Sequence, residues 1–97
     1  MKHSVENNKL TLFLEGELNS FNSEDVEKEI ETIINANSFE AIVVDLEKVS
    51  YISSAGIRII VRLKQRYDDT SLVKVPGSIY DIFEMVGLPN MISIKKL

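Results

Sequence analysis

Ala41-Ile42-Val43-Val44-Asp45-Leu46 is a short, nearly continuous apolar run near the middle of the 97-residue chain. A run of this length, rich in β-branched residues, is typical of a strand that is covered on both of its faces. We therefore predict that it forms the central strand of an α/β sheet and is buried on both faces, with a loop following it through Ser53.

An amphipathic helix is predicted on each side of this strand. The first runs from Ser23 to about Asn35, and the second begins near Ser54 and continues to about Tyr67. Apolar residues recur in both segments at the spacing of one helical face. They are Val26, Ile30, Ile33 and Ile34 in the first helix, and Ile57, Ile59, Ile60, Val61 and Leu63 in the second.

Further strands are predicted towards both ends of the chain. Lys9–Gly16 alternates loosely, with a turn at Asn7-Asn8 and a short partner strand at Ser4–Glu6 before it. The residues from Gly16 to Asn22 are polar and typical of a loop. Ser71–Val75 and Met91–Ile94 are the remaining predicted strands.

A third helix is predicted between the last two strands. Pro76-Gly77 forms a turn, Ser78 caps the helix with Asp81 in a capping box, and Gly87 ends it in a left-handed conformation. The resulting order, β-β-α-β-α-β-α-β, predicts a single α/β domain over residues 1–97. Its central sheet is expected to be mixed but mostly parallel, with the helices packed against it.

Composition argues against several classes of function. The net charge of −4 disfavours nucleic acid and anionic membrane surfaces as partners, and no apolar segment is long enough to span a membrane. Cysteine is absent, which excludes disulfides and thiol chemistry and fits a cytoplasmic location. The only histidine, His3, lies at the N-terminus, so a serine triad has no support. We expect no metal, no cofactor and no enzymatic activity.

One segment, Ser50-Tyr51-Ile52-Ser53-Ser54-Ala55-Gly56, combines features typical of a functional site. It joins the central strand to the second helix, and ligands of open α/β sheets gather at the carboxyl ends of strands. Two serines at a helix start could carry a phosphate there, beside small residues that a neighbour or a partner could approach closely. The simpler alternative is that a serine only caps the helix.

The wider pattern, Val43-Val44-Asp45-Leu46-x-x-Val49-x-Tyr51-Ile52-Ser53-Ser54-Ala55-Gly56-Ile57-Arg58, resembles the anti-sigma-factor antagonists of the STAS domain family. The resemblance extends to Leu14-x-Gly16-Glu17-Leu18 and to Phe83-x-Met85-x-Gly87-Leu88. It implies a domain that binds an anti-sigma factor, which is also a serine kinase. Phosphorylation of the junction serine, here Ser54, would release that partner, and a PP2C-type serine phosphatase would reset the switch.

Two positions depart from the family pattern. Ser53 stands where many members have an aspartate, which keeps Ser53 as the alternative phosphorylation site. Asn19 stands where many have an aspartate after the Gly-Glu-Leu string. The candidate partner-binding residues are Asn19, Phe21, Ser53, Ala55, Gly56, Arg58 and Arg62.

Several of these candidates have competing interpretations. Arg58 and Arg62 belong to a stripe on one helical face, which forms either a partner surface or an ordinary solvated face. Phe21 lies in a polar loop and could anchor an interface, whereas the other phenylalanines and Tyr67 and Tyr80 are expected in the core. Asp45 is either a site residue near Ser54 or a cap of the following loop.

Two alternatives to the phosphorylation switch are compatible with this sequence. One is an interaction scaffold of the same fold that is never phosphorylated. The other is a small-molecule or nucleotide-sensing module, although no glycine-rich phosphate-binding loop is present. The fold alone cannot separate these functions.

Overall fold

The structure is a computed structural model that describes residues 1–97. It contains five strands and three α-helices in the predicted order. The strands are β1 (Lys2–Glu6), β2 (Lys9–Leu18), β3 (Ala41–Ile52), β4 (Thr70–Val75) and β5 (Ser93–Lys96). The helices are α1 (Ser23–Ala36), α2 (Ser54–Arg66) and α3 (Gly77–Met85), and a short 3₁₀ turn (Leu88–Asn90) follows α3.

The five strands form one mixed sheet in the order β1-β2-β3-β4-β5. β1 pairs with β2 in antiparallel orientation, and the other neighbouring pairs are parallel. This confirms the predicted fold class, and it confirms that the apolar run beginning at Ala41 forms the central strand.

All three helices pack on the same face of the sheet. Each helix connects two strands that are parallel and adjacent in the sheet. These connections are right-handed, and each one moves to the next strand in the same direction across the sheet, so all three helices lie on one side. The buried residues agree, because Leu12, Val44 and Leu72 are register partners and belong to one core together with residues of every helix. The helical members of that core are Ile30, Ile33 and Ile34, then Ile59, Ile60 and Leu63, and finally Ile79 and Phe83.

The other face of the sheet has no helical layer, so the prediction that the central strand is buried on both faces holds only in part: Ala41 and Asp45 are buried there, but Val43 is not. Ile42, Val44 and Leu46 point into the core and are at most 1% exposed, whereas Val43, on the opposite face, is only half-buried. Phe13, which pairs in register with Asp45, is also exposed rather than in the core. A run of apolar residues therefore overstated how well the second face is covered.

β2 and β3 both continue beyond their predicted ends, towards the same end of the sheet. β3 continues through Ile52, where the sequence predicted a loop, and β2 continues to Leu18. Register shifts between Phe13 and Glu15 and again after Gly16 accommodate the extension. Such bulges break the alternation of buried and exposed residues, which is why the polar stretch after Leu46 does not resemble a strand.

The ends of α3 differ in part from the prediction. The helix begins at Gly77, its N-cap residue is Pro76, and no side chain caps it, so the predicted capping role of Ser78 is wrong. Gly87 does have the expected left-handed conformation, with φ of 76°, just beyond the end of the helix. No helix of the structure has both the length and the apolar character that crossing a membrane requires.

Candidate functional site

The junction between β3 and α2 assigns different roles to two adjacent serines. Ile52 is the last residue of the strand, Ser53 is the N-cap with extended backbone, and Ser54 is the first helical residue. The Ser53 hydroxyl oxygen accepts a hydrogen bond from the Gly56 N–H at 3.4 Å. Of the two serines, Ser53 is therefore the cap, and Ser54 lies one residue inside the helix.

Ser54 points away from the fold. Its side chain is exposed and makes no hydrogen bond, so its hydroxyl is accessible to an outside enzyme and has no general base within hydrogen-bonding distance. No acidic residue lies in the first turn of α2. A negative group on Ser54 would therefore meet the favourable end of the helix dipole without a carboxylate in the same turn to repel it.

Gly56 has an internal role. It is buried, and a methyl group at its Cα would lie 2.8 Å from Ile52 Cγ1 and 3.0 Å from Leu18 Cβ. The proposal that a partner approaches Gly56 must be corrected, because β2 and β3 already occupy the space around it. Its small size allows the start of α2 to pack directly against the end of β2, while the neighbouring Ala55 remains partly exposed.

The loop between β2 and α1 is joined to this junction. The Ser53 N–H donates to the Leu18 carbonyl at 2.8 Å, which links the end of β2 to the start of α2. In the loop that follows, the Asn19 side-chain oxygen accepts from the N–H groups of Phe21 and Asn22, at 2.9 and 3.0 Å. The two asparagines are also bonded in the reverse sense, because the Asn22 side-chain oxygen accepts from the Asn19 N–H at 3.0 Å.

This network holds an aromatic side chain in solvent. Phe21 is 95% exposed, although it lies in a loop whose backbone is fixed by the two asparagines around it. The structure thus gives Asn19 a role within the protein, as the organiser of the loop. A large apolar side chain held in solvent by an ordered loop is typical of an interface anchor.

Tyr51 is a further candidate that the sequence did not single out. It lies two residues before Ser53 in β3, it is 48% exposed, and it pairs in register with Glu17. An aromatic residue close to the carboxyl end of a strand could have indicated a site here. The sequence predicted a loop at this position, so Tyr51 was not recognised as a strand residue. Tyr51 and Phe21 both belong to the segments that surround Ser54.

The arginines of α2 differ in their surroundings. Arg62 donates to both carboxylate oxygens of Glu27 in α1, at 2.9 and 3.0 Å, and Arg66 pairs with Glu31 one turn further along. The hydrogen bond and the charge of Glu31 raise the pKa of the Arg66 guanidinium above its ordinary value. Arg58 is exposed and forms no ion pair. Of the two candidate partner-binding arginines, only Arg58 has its charge uncompensated.

Asp45 lies away from the junction. It is buried in the middle of β3, where one carboxylate oxygen accepts from the Glu47 N–H at 3.0 Å and the other lies 3.9 Å from Lys74 Nζ. Seven residues of extended chain, about 20 Å, separate it from Ile52. Asp45 therefore stabilises the bulged part of β3, and its interpretation as a neighbour of Ser54 is wrong.

A cleft of about 540 Å³ lies beside Asp45, along the edge of β2 beyond the start of β1. Its lining mixes both signs of charge and includes Lys48, Lys74 and Glu47. Neither Ser53 nor Ser54 contributes to it. The cleft and the β3–α2 junction are thus separate features of the molecule.

The family model of the STAS domain matches residues 2–96, which is nearly the whole chain. The chain belongs to the STAS domain family. Among curated relatives, this STAS domain is 26% identical over 92 residues to the anti-sigma-B factor antagonist of Listeria monocytogenes, an alignment that covers 91% of this chain and 80% of the relative.

Solved structures show the same fold. An anti-sigma factor antagonist from Mycobacterium paratuberculosis superposes on this STAS domain with a TM-score of 0.86 and 15% identity, covering 99% of this chain and 84% of the other. The phosphorylated form of the Bacillus cell fate determinant SpoIIAA gives a TM-score of 0.65 with 19% identity, covering 96% and 90%. At these identities the structures establish a shared architecture.

Proposed function

We propose that this STAS domain is an anti-sigma-factor antagonist whose binding is controlled by phosphorylation of Ser54. In its unmodified form it sequesters an anti-sigma factor that is also a serine kinase, and the phosphorylated form releases that partner. A PP2C-type serine phosphatase returns the protein to its binding form, and the cycle takes place in the cytoplasm.

The observation that carries this proposal is that the two adjacent serines differ in burial and in hydrogen bonding. Ser53 is half-buried and its hydroxyl caps α2, whereas the Ser54 hydroxyl is exposed and makes no internal contact. A kinase can therefore modify Ser54 without removing an interaction that the fold needs. This favours Ser54 over Ser53 as the phosphorylation site.

The proposed partner surface surrounds Ser54. It consists of Phe21 and Asn19 in the β2–α1 loop, Tyr51 at the end of β3, and Ala55 and Arg58 on the exposed side of α2. Phe21 supplies a large apolar group and Arg58 an uncompensated positive charge, which together suit a partner surface with an apolar pocket beside acidic groups.

Phosphorylation would act locally on this surface. A phosphate adds about −1.5 to −2 of charge and considerable bulk. At Ser54 it lies in the middle of the proposed contact and repels acidic groups of the partner. No refolding is needed, because a helix N-terminus tolerates negative charge.

Incubation with the cognate anti-sigma kinase and ATP, followed by intact-mass measurement, tests this function. The wild-type protein and Ser53→Ala should each gain one phosphate, while Ser54→Ala should gain none. Labelling of Ser54→Ala but not of Ser53→Ala would move the site to Ser53. A wild-type protein that binds the partner and is never labelled would be a constitutive scaffold instead.

A further inference from the structure

Arg58 is the one arginine of α2 that the fold leaves without an ion-pair partner. The other two, Arg62 and Arg66, pair with Glu27 and Glu31 of α1. One turn nearer the start of both helices, the position that corresponds to these acids is Ser23, which carries no charge. The row of arginines on α2 therefore extends one turn beyond the row of acids on α1.

Ser54 lies one turn before Arg58 on the same helix. Residues four apart on a helix are neighbours, with Cβ atoms about 5–6 Å from each other. Since side chains on a helix lean towards its N-terminus, the Arg58 side chain leans towards the turn that contains Ser54. Both side chains are exposed, so a group carried by Ser54 can meet the guanidinium at the protein surface.

We propose that Arg58 binds the phosphate of phosphorylated Ser54 within the same helix. The phosphate offers three acceptor oxygens, and a guanidinium can donate two parallel hydrogen bonds to such a group. The phosphate thereby supplies the negative charge that α1 lacks at this position. The biological use of the pair rests on the proposed function, whereas its formation depends only on the geometry of α2.

The pair would give phosphorylation a second effect. In the unmodified protein, the Arg58 guanidinium is available to an acidic group of a partner. In the phosphorylated protein, the same guanidinium is bound inside the molecule. Phosphorylation thus removes a positive contact from the surface at the same time as it adds negative charge.

The test uses the full chain with phosphoserine installed at Ser54 by genetic-code expansion, so that no kinase is required. Phosphorus NMR then follows the pH at which the phosphate changes from its singly to its doubly charged form. We expect this midpoint to lie lower in the wild type than in Arg58→Gln, by about 0.1–0.4 pH unit. Glutamine forms helices nearly as well as arginine, so the variant should fold.

Two further variants complete the comparison. Arg62→Gln removes the neighbouring arginine and its pair with Glu27, and it should leave the midpoint close to that of the wild type. Arg58→Lys keeps the charge without the bidentate geometry and should give an intermediate midpoint. Equal midpoints in the wild type and Arg58→Gln would overturn the proposal, as would a change that appears only in Arg62→Gln.

This outcome is distinguishable from a failure of the proposed function. If the titration midpoint of the phosphate is the same with and without Arg58, the proposed pair is wrong, but a kinase could still label Ser54. A protein that no anti-sigma kinase labels would overturn the proposed function, while the midpoint difference would still support the pair.

Discussion

The hydroxyl oxygen of Ser53 accepts a hydrogen bond from the backbone N–H of Gly56, and this contact caps the first turn of α2. The adjacent Ser54 makes no such contact and is exposed. One serine therefore belongs to the fold, and the other is available for modification. Substitutions at the two positions should separate stability from function.

Ser53→Ala should destabilise the protein, because it removes the N-cap of α2. Loss of a serine cap typically costs about 0.5–2 kcal/mol, and the 3.4 Å hydrogen bond places the expected loss in the lower half of that range. Ser54→Ala should change the free energy of unfolding by less. Urea denaturation of both variants measures the difference, and a larger loss in Ser54→Ala would show that the cap is misassigned.

Gly56→Ala should destabilise the protein more than a cap substitution does. The added methyl group would lie 2.8 Å from Ile52 Cγ1 and 3.2 Å from the Leu18 backbone oxygen, so α2 must shift away from β2. Overpacking of this kind costs about 1–3 kcal/mol. Gly77→Ala is the matched control, since nothing lies within 4 Å of a Cβ there. Equal losses of thermal stability in both variants would show that the space around Gly56 accommodates a methyl group.

Phe21→Ala should weaken partner binding without loss of stability. The side chain is 95% exposed, so its removal takes almost nothing from the core, whereas removal of an interface anchor costs about 2 kcal/mol or more of binding free energy. Met85→Ala is the control, because Met85 is 86% exposed at the end of α3, the helix that leads from β4 to β5 and not from β3. Calorimetric titration with the anti-sigma factor would refute the anchor role if both variants bind like the wild type.

Arg58→Glu should slow association with the anti-sigma factor several-fold at low salt and much less at high salt, because screening weakens long-range attraction. Lys95→Glu, an exposed lysine of β5, changes the net charge equally at the edge of the sheet and should have little effect. Stopped-flow measurements at two ionic strengths provide the comparison. Association rates that fall equally in both variants would indicate a general effect of net charge.

The sequence predicted the central strand, the order of elements and the mostly parallel sheet, because these follow from local periodicity and from runs of apolar residues. It did not predict that one face of the sheet is open. That property depends on the order of the strands, since the sequential order of β2, β3, β4 and β5 brings all three helices to the same side. A half-buried Val43 and a buried Ile42 are indistinguishable in an apolar run.

The sequence placed the start of α2 in the right segment but did not show which serine is its cap. Two consecutive serines before a helix are equivalent in sequence, and only the structure shows that the Ser53 hydroxyl accepts from the Gly56 N–H while Gly56 packs against Leu18. The exposure of Tyr51 was hidden by the bulges that extend β3. The partnership of Arg62 with Glu27 depends on the alignment of two helices that are distant in sequence.

The central claim is that phosphate on Ser54 releases the partner, and one affinity measurement tests it most directly. Protein with phosphoserine installed at Ser54 and unmodified protein are each titrated calorimetrically with the cognate anti-sigma factor, after thermal melts show that both are folded. We predict that the phosphorylated protein binds at least about tenfold more weakly, a loss of about 1.4 kcal/mol. Equal affinities of the two forms would contradict the account.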